Sequence, residues 1–88
     1  MNYLEMLVKT NIAPVKVRYI EGEFRVNYER GAINKGTYEE HPQGIGDTVN
    51  EAALDYIKQI NGKDLLIGNP VTPDKRIFPY FAWEEKKI

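Results

Sequence analysis

Eighty-eight residues, 42% of them apolar and 28% charged, make a chain long enough for one modest core and too apolar for wholesale disorder. A net charge of −1 supplies no overall field toward nucleic acid or membrane, and the lack of cysteine excludes disulfides, thiolate metal sites and cysteine nucleophiles. The start "MNYLEMLVKTN" has no basic residues ahead of an apolar run, and no segment is long enough to span a bilayer, so a cytoplasmic protein is expected.

Charge is unevenly spread. Residues 1–36 carry 6 basic and 4 acidic groups, residues 37–64 carry 2 and 6, and residues 65–88 carry 4 and 3. The middle third is therefore the acidic one.

Asn2 with Glu5 three positions on suits a helix N-cap, and Leu4, Leu7 and Val8 share a helical face, so a short helix over roughly 3–9 is expected, ending before Pro14. "VKVRYIEGEFRVNYER" then alternates as a hairpin. A two-residue turn, Glu21-Gly22 or Gly22-Glu23, places Val15, Val17, Tyr19, Phe24, Val26 and Tyr28 on one face, whereas a three-residue loop would mix the faces. Residues 31–46 hold four of the seven glycines and show no strong period; a third strand around Lys35 to Glu40, or a long loop, is expected there.

"DTVNEAALDYIKQING" is the clearest helix. Thr48 and Glu51 make a capping box, Val49, Ala53, Tyr56, Ile57 and Ile60 form an apolar stripe with Ala52 at its margin, and Asn61-Gly62 is a stop. "KDLLIG" reads as a buried strand, "NPVTPDK" as a proline-held turn, and "RIFPYFAW" as an extended aromatic segment that Pro79 confines to an edge or an irregular path. The order α-β-β-(β)-α-β-β gives one α+β domain over residues 1–88, an antiparallel sheet with helices on one face.

Four places can carry function. In "EEHPQGIGDT", a phosphate loop would need Lys-Ser/Thr after its last glycine, but Asp47 follows Gly46; a dinucleotide fingerprint would need a glycine where Val49 stands. The Gly-x-Gly is therefore read as the lead-in to a helix cap. Successive side chains of an extended chain alternate sides, so only Glu39 can face with the single histidine, His41. With Glu40 turned away, one carboxylate and one imidazole do not make a metal site; no metal or cofactor is expected, and an acid/base pair of His41 with Glu39 or Asp47 is the one enzymatic alternative.

Glu39, Glu40, Asp47, Glu51 and Asp55 form an acidic set that could meet a basic partner surface. Lys16, Arg18 and Arg25 lie on the outer hairpin face, where they could instead track a phosphate backbone, although no aromatic there is placed to stack on bases. Phe78, Tyr80, Phe81 and Trp83 are the densest aromatic cluster, with core closure and partner anchoring as competing roles; Phe78, Tyr80 and Trp83 are the anchoring candidates.

The hairpin, the glycine-containing stretch and "GIGDTVNEAALDYI" together resemble the N-terminal domain of HicB-type antitoxins. That family shares a strand pair with an acidic-Gly turn and a Gly-Asp-Thr-x-x-Glu-Ala helix start, matched here by Gly46, Asp47, Thr48, Glu51 and Ala52. The resemblance covers roughly residues 15–67. It implies a degraded ribonuclease-H-like fold, β-β-β-α-β, that binds and blocks a toxin. The family's Leu-Pro-Gly segment does not appear, a helix precedes the hairpin, and no ribbon-helix-helix or helix-turn-helix segment follows.

Ribonuclease-H chemistry needs inward carboxylates to hold metal, and the inward hairpin positions here are Val, Tyr and Phe. A double-stranded-RNA-binding domain would share the spacing of Gly44, Gly46 and Thr48, but Val49, Asn50 and Ala53 stand where its basic residues belong. The expectation is a small non-catalytic module that inhibits or regulates a partner protein, as an antitoxin-like or phage-type inhibitor of a nucleic-acid-handling protein would. Nucleic-acid binding through Lys16, Arg18 and Arg25 is the alternative.

Overall fold

Asn2 caps the first helix by accepting the Glu5 amide at 2.8 Å, and helix α1 runs Tyr3–Lys9 as its spacing predicts. In this computed structural model, residues 2–68 and 75–81 are described. Among the described residues, seven strands follow the helix in two antiparallel sheets: β1 (Val15–Ile20), β2 (Glu23–Tyr28), β3 (Gly31–Asn34), β4 (Glu39–Glu40), β5 (Gly44–Gly46), β6 (Leu65–Ile67) and β7 (Lys75–Ile77). Helix α2 spans Val49–Ile60 between β5 and β6. The α+β class, the two helices and the antiparallel pairing match expectation, but the strands divide into a β1-β2-β5 sheet and a β4-β3-β6-β7 sheet.

The hairpin register settles the turn. Val15 faces Tyr28, Val17 faces Val26 and Tyr19 faces Phe24, so the loop is Glu21-Gly22. Both loop residues have positive φ, 51° and 82°, the signature of a type I′ turn whose twist matches that of the strands it joins. The alternating face is the inward one, yet only part of it is covered. Val26 and Tyr28 are fully buried, whereas Val17 and Tyr19, farther along β1, are 41% and 65% exposed.

At Arg30, φ of 58° breaks the extended path, and the chain leaves the first sheet to start β3 in the second. The region expected to give one strand near Lys35–Glu40 gives three short ones instead. Their brevity explains why no period marks them: β4 has two residues and β5 three.

Helix α2 is capped by Thr48, whose hydroxyl accepts the Glu51 amide at 3.1 Å, while Glu51 reaches back to the Asp47 amide at 3.2 Å. It buries Ala52, Ala53, Tyr56, Ile57 and Ile60. Ala52, placed at the stripe's margin by sequence, is central because α2 lies directly on β5. A Cβ added at Gly44 would strike the Ala52 carbonyl oxygen and stand 2.6 Å from Tyr56 Cβ, and one at Gly46 would stand 2.6 Å from Ala52 N.

The core joins these residues to Leu7 of α1, Val26 and Tyr28 of β2, Ile33 of β3, Leu65 of β6, and Phe81. Tyr28 Oη donates to the Leu7 carbonyl at 3.1 Å and bonds Thr10 Oγ1 at 2.8 Å, closing the end of α1 over the hairpin. Its ring meets Tyr56 edge-on with centroids 5.6 Å apart. The second sheet is fastened at its far side by Arg76, which donates to both Asp64 carboxylate oxygens at 2.6 and 3.2 Å. Those hydrogen bonds, joined by one from Asn34, hold the Asp64 carboxyl below its ordinary pKa.

Candidate functional site

Pairing parity decides what the first sheet offers to solvent. Residues 15, 17, 19, 24, 26 and 28 face the helices, together with Gly44 and Gly46 of β5. The opposite face therefore carries Lys16, Arg18, Ile20, Glu23, Arg25, Asn27 and Ile45. Arg18 and Arg25 are direct cross-strand partners, and Ile45 lies beyond Arg25 on β5.

Arg25 is partly occupied: one guanidinium nitrogen donates to Gln43 Oε1 at 3.3 Å and the other lies 3.7 Å from Glu23. Lys16 and Arg18 have no ion-pair partner among the described residues. The three basic candidates thus converge on one face, and Ile20 and Ile45 are its apolar members, with no aromatic among them.

The acidic candidates separate by element and by duty. Glu51 and Asp55 lie four apart on α2, both turned toward β5. Glu51 is spent on the helix cap. Asp55 accepts the Ile45 amide at 2.9 Å and Gln59 Nε2 at 3.1 Å, while Gln59 also donates to the Gln43 carbonyl at 2.8 Å. Asp55 and Gln59 thereby satisfy backbone groups on the outer edge of β5.

Glu39 and Glu40 belong to β4 in the other sheet. Glu40 lies 3.5 Å from Lys35, and Glu39 lies 4.0 Å from His41 Nε2. His41 is 71% exposed with that single carboxylate beside it, and Asp47 sits on the loop before α2. Among the described residues, no three metal-binding side chains gather.

The aromatic segment divides. Phe81 enters the core, its amide donating to Asn61 Oδ1 at 2.7 Å, and the Gly62 amide donates to the Pro79 carbonyl at 2.7 Å. These bonds fix the segment across the end of α2 and turn Phe78 and Tyr80 outward, 64% and 82% exposed. Trp83 lies outside the described residues.

Sequence reasoning did not find the outer edge of β1. The Glu29 amide bonds the Pro14 carbonyl at 2.8 Å, so by alternation Lys16, Arg18 and Ile20 turn their backbone groups toward β2. Val15, Val17 and Tyr19 turn theirs away, and no backbone partner meets them among the described residues. At the start of this edge lies a groove of about 440 Å³ lined by Val8, Asn11, Ile12, Ala13, Pro14 and Val15. No local period marks such an edge, since which side of β1 is paired depends on where the other strands of the sheet lie.

Compared with known proteins, the chain matches no family model, no curated protein and no solved structure. Among the described residues, no helix is long and apolar enough to cross a membrane.

Proposed function

We propose that the protein is a small non-catalytic module that binds a partner protein and inhibits or regulates it. One observation carries this reading: Phe78 and Tyr80 stand out from a segment that is itself pinned to the fold by Phe81 and Asn61. Large aromatics on a backbone segment that is already fixed need no chain ordering on binding and make effective anchors. The exposed carboxylates of Glu39, Glu40 and Asp47 add a negative contribution suited to a basic partner surface, such as that of a nucleic-acid-handling protein. Antitoxin-like inhibition, implied by the Gly46-Asp47-Thr48 helix start, is the most specific form of the proposal.

Affinity purification from the native cell followed by mass spectrometry tests it. A stoichiometric protein partner is expected, reduced about tenfold when Phe78→Ser and Tyr80→Ser are combined, in line with the loss of about 1.4 kcal/mol of anchoring. In a salt series, Glu39→Lys, Glu40→Lys and Asp47→Lys together should weaken binding and flatten its salt dependence. Recovery of no protein partner would overturn the reading.

A second reading is favoured by the pairing of Arg18 with Arg25 beside Lys16: nucleic-acid binding on the face away from the helices. It requires binding to DNA or RNA that falls steeply with salt and disappears when the three are neutralised. No complex at low salt would remove it.

A further inference from the structure

We infer that the outer edge of β1 is a strand-docking site for an extended segment of a partner protein whose residues alternate apolar and acidic. The inference rests on the proposed protein-binding function and assigns it a surface separate from Phe78 and Tyr80.

The two edges of the first sheet are treated differently. On β5, Asp55 and Gln59 reach from α2 to satisfy the Ile45 amide and the Gln43 carbonyl, which leaves little for another strand to pair with. On β1, the amides and carbonyls of Val15, Val17 and Tyr19 point outward, with no backbone partner among the described residues. Val17 and Tyr19 also keep much of their side-chain surface in solvent, and Tyr19 is braced by Phe24 with ring centroids 4.8 Å apart. An incoming strand therefore finds backbone partners and a preformed apolar flank together, as strand addition requires.

Charge selects the occupant. Any strand paired with β1 places side chains directly beside Lys16 and Arg18 on the outer face. Arg18 already has Arg25 on its other side, so two like charges flank each other and a counter-charge is favoured in the remaining lateral position. A second copy pairing through its own β1 cannot supply it. Antiparallel registers that match at least two of Val15, Val17 and Tyr19 with the same set in the other copy always place Lys16 or Arg18 against Lys16 or Arg18. Basic residues on the edge thus oppose self-pairing while favouring an acidic strand. An antiparallel guest continues the sheet's order. It would run from Tyr19 toward Val15 and leave over the groove, where Val8 is 53% exposed and can receive a final apolar side chain.

The test uses the intact protein with a synthetic peptide, Val-Glu-Val-Glu-Val-Ser-Leu, and its Lys-for-Glu counterpart. Isothermal titration is combined with amide hydrogen exchange read by NMR. The Glu peptide should bind at least tenfold more tightly than the Lys peptide and slow exchange at Val15, Val17 and Tyr19. Val17→Pro removes an outward amide that β2 does not use, so the hairpin should persist by circular dichroism while peptide affinity falls at least tenfold. Lys16→Glu with Arg18→Glu should invert the preference between the peptides, an outcome that a folding defect cannot produce.

Equal binding of the two peptides, no binding of either, or protection elsewhere than β1 would overturn the inference. So would a wild-type dimer in sedimentation that Val17→Pro dissolves, since the occupant would then be a second copy. If the peptide test fails while Phe78 and Tyr80 still govern capture of a partner, only this site is lost and the proposed function stands.

Discussion

Replacing Gly44 by alanine tests whether the Gly-x-Gly is there to let a helix lie on a strand. The added Cβ would overlap the Ala52 carbonyl and stand 2.6 Å from both Tyr56 Cβ and Tyr56 N. Carbon atoms at ease are about 3.5–4.0 Å apart, so α2 must lift by about 1 Å, and a gap of that size forfeits up to about half of each dispersion contact beneath it. The obstacle is mostly backbone, which cannot rotate away, so the cost belongs near the top of the overpacking range, about 3 kcal/mol.

With an unfolding entropy of about 2.1 cal/mol/K per residue over 88 residues, that corresponds to a fall in Tm of about 16 °C. Scanning calorimetry or a circular-dichroism melt reads it directly. Ile45→Thr, between the two glycines and pointing to solvent, is the control and should stay within about 3 °C. A Gly44→Ala melt within about 3 °C of wild type would refute the packing argument and reopen the loop to other readings.

Three further outcomes follow from the same geometry. Glu21→Asn should raise stability by roughly 0.5–1 kcal/mol in urea unfolding, because φ of 51° in a type I′ turn suits Asn better than Glu. Asp55→Ala should cost about 1 kcal/mol and speed exchange at the Ile45 amide, whereas Asp55→Asn keeps an acceptor and should be milder. Burial pushes the Tyr56 hydroxyl up to about 12, slightly offset by the nearby Tyr28 backbone, although that hydroxyl makes no hydrogen bond of ordinary geometry. A raised folded-state value means the stabilisation is complete below pH 10 and is lost as pH rises toward 12, an effect of roughly 2–3 kcal/mol. Tyr56→Phe should reduce that alkaline loss at no cost to stability at pH 7, checked by urea unfolding at both pH values.

Much of the frame was legible because it is written in local periods. The alternation of Val15 to Tyr28 fixed which residues face inward, and the Asn2 and Thr48 caps fixed where both helices begin. Local pattern does not say how far a neighbouring element extends, so Val17 and Tyr19 read as core yet remain exposed where the hairpin is not covered. Gly44 and Gly46 precede Thr48 and so, by sequence, belong to the helix lead-in. Two glycines spaced by two in an extended segment share one face, and that spacing was the available sign of close contact. The acidic residues were counted as one set by charge, but Glu51 and Asp55 serve backbone amides whose identity depends on where β5 lies against α2.

That division of labour sharpens where a partner could bind. Carboxylates already bonded to backbone amides are poor recognition groups, since binding through them must break the cap of α2 or expose the edge of β5. The charged candidates that remain available beside Phe78 and Tyr80 are Glu39, Glu40 and Asp47 on one hand, and the β1 edge with Lys16 and Arg18 on the other. These carry opposite charge and belong to different elements, β4 and the loop before α2 against β1. A partner that engaged both would itself present basic and acidic regions, and its binding would respond to salt more steeply than through either contact alone, because both attractions are screened. Such a partner loses part of that slope in the Glu39, Glu40 and Asp47 variant and part in the Lys16 and Arg18 variant, whereas a partner engaging one set loses it in one variant only, so salt series on wild type and both variants separate the two arrangements.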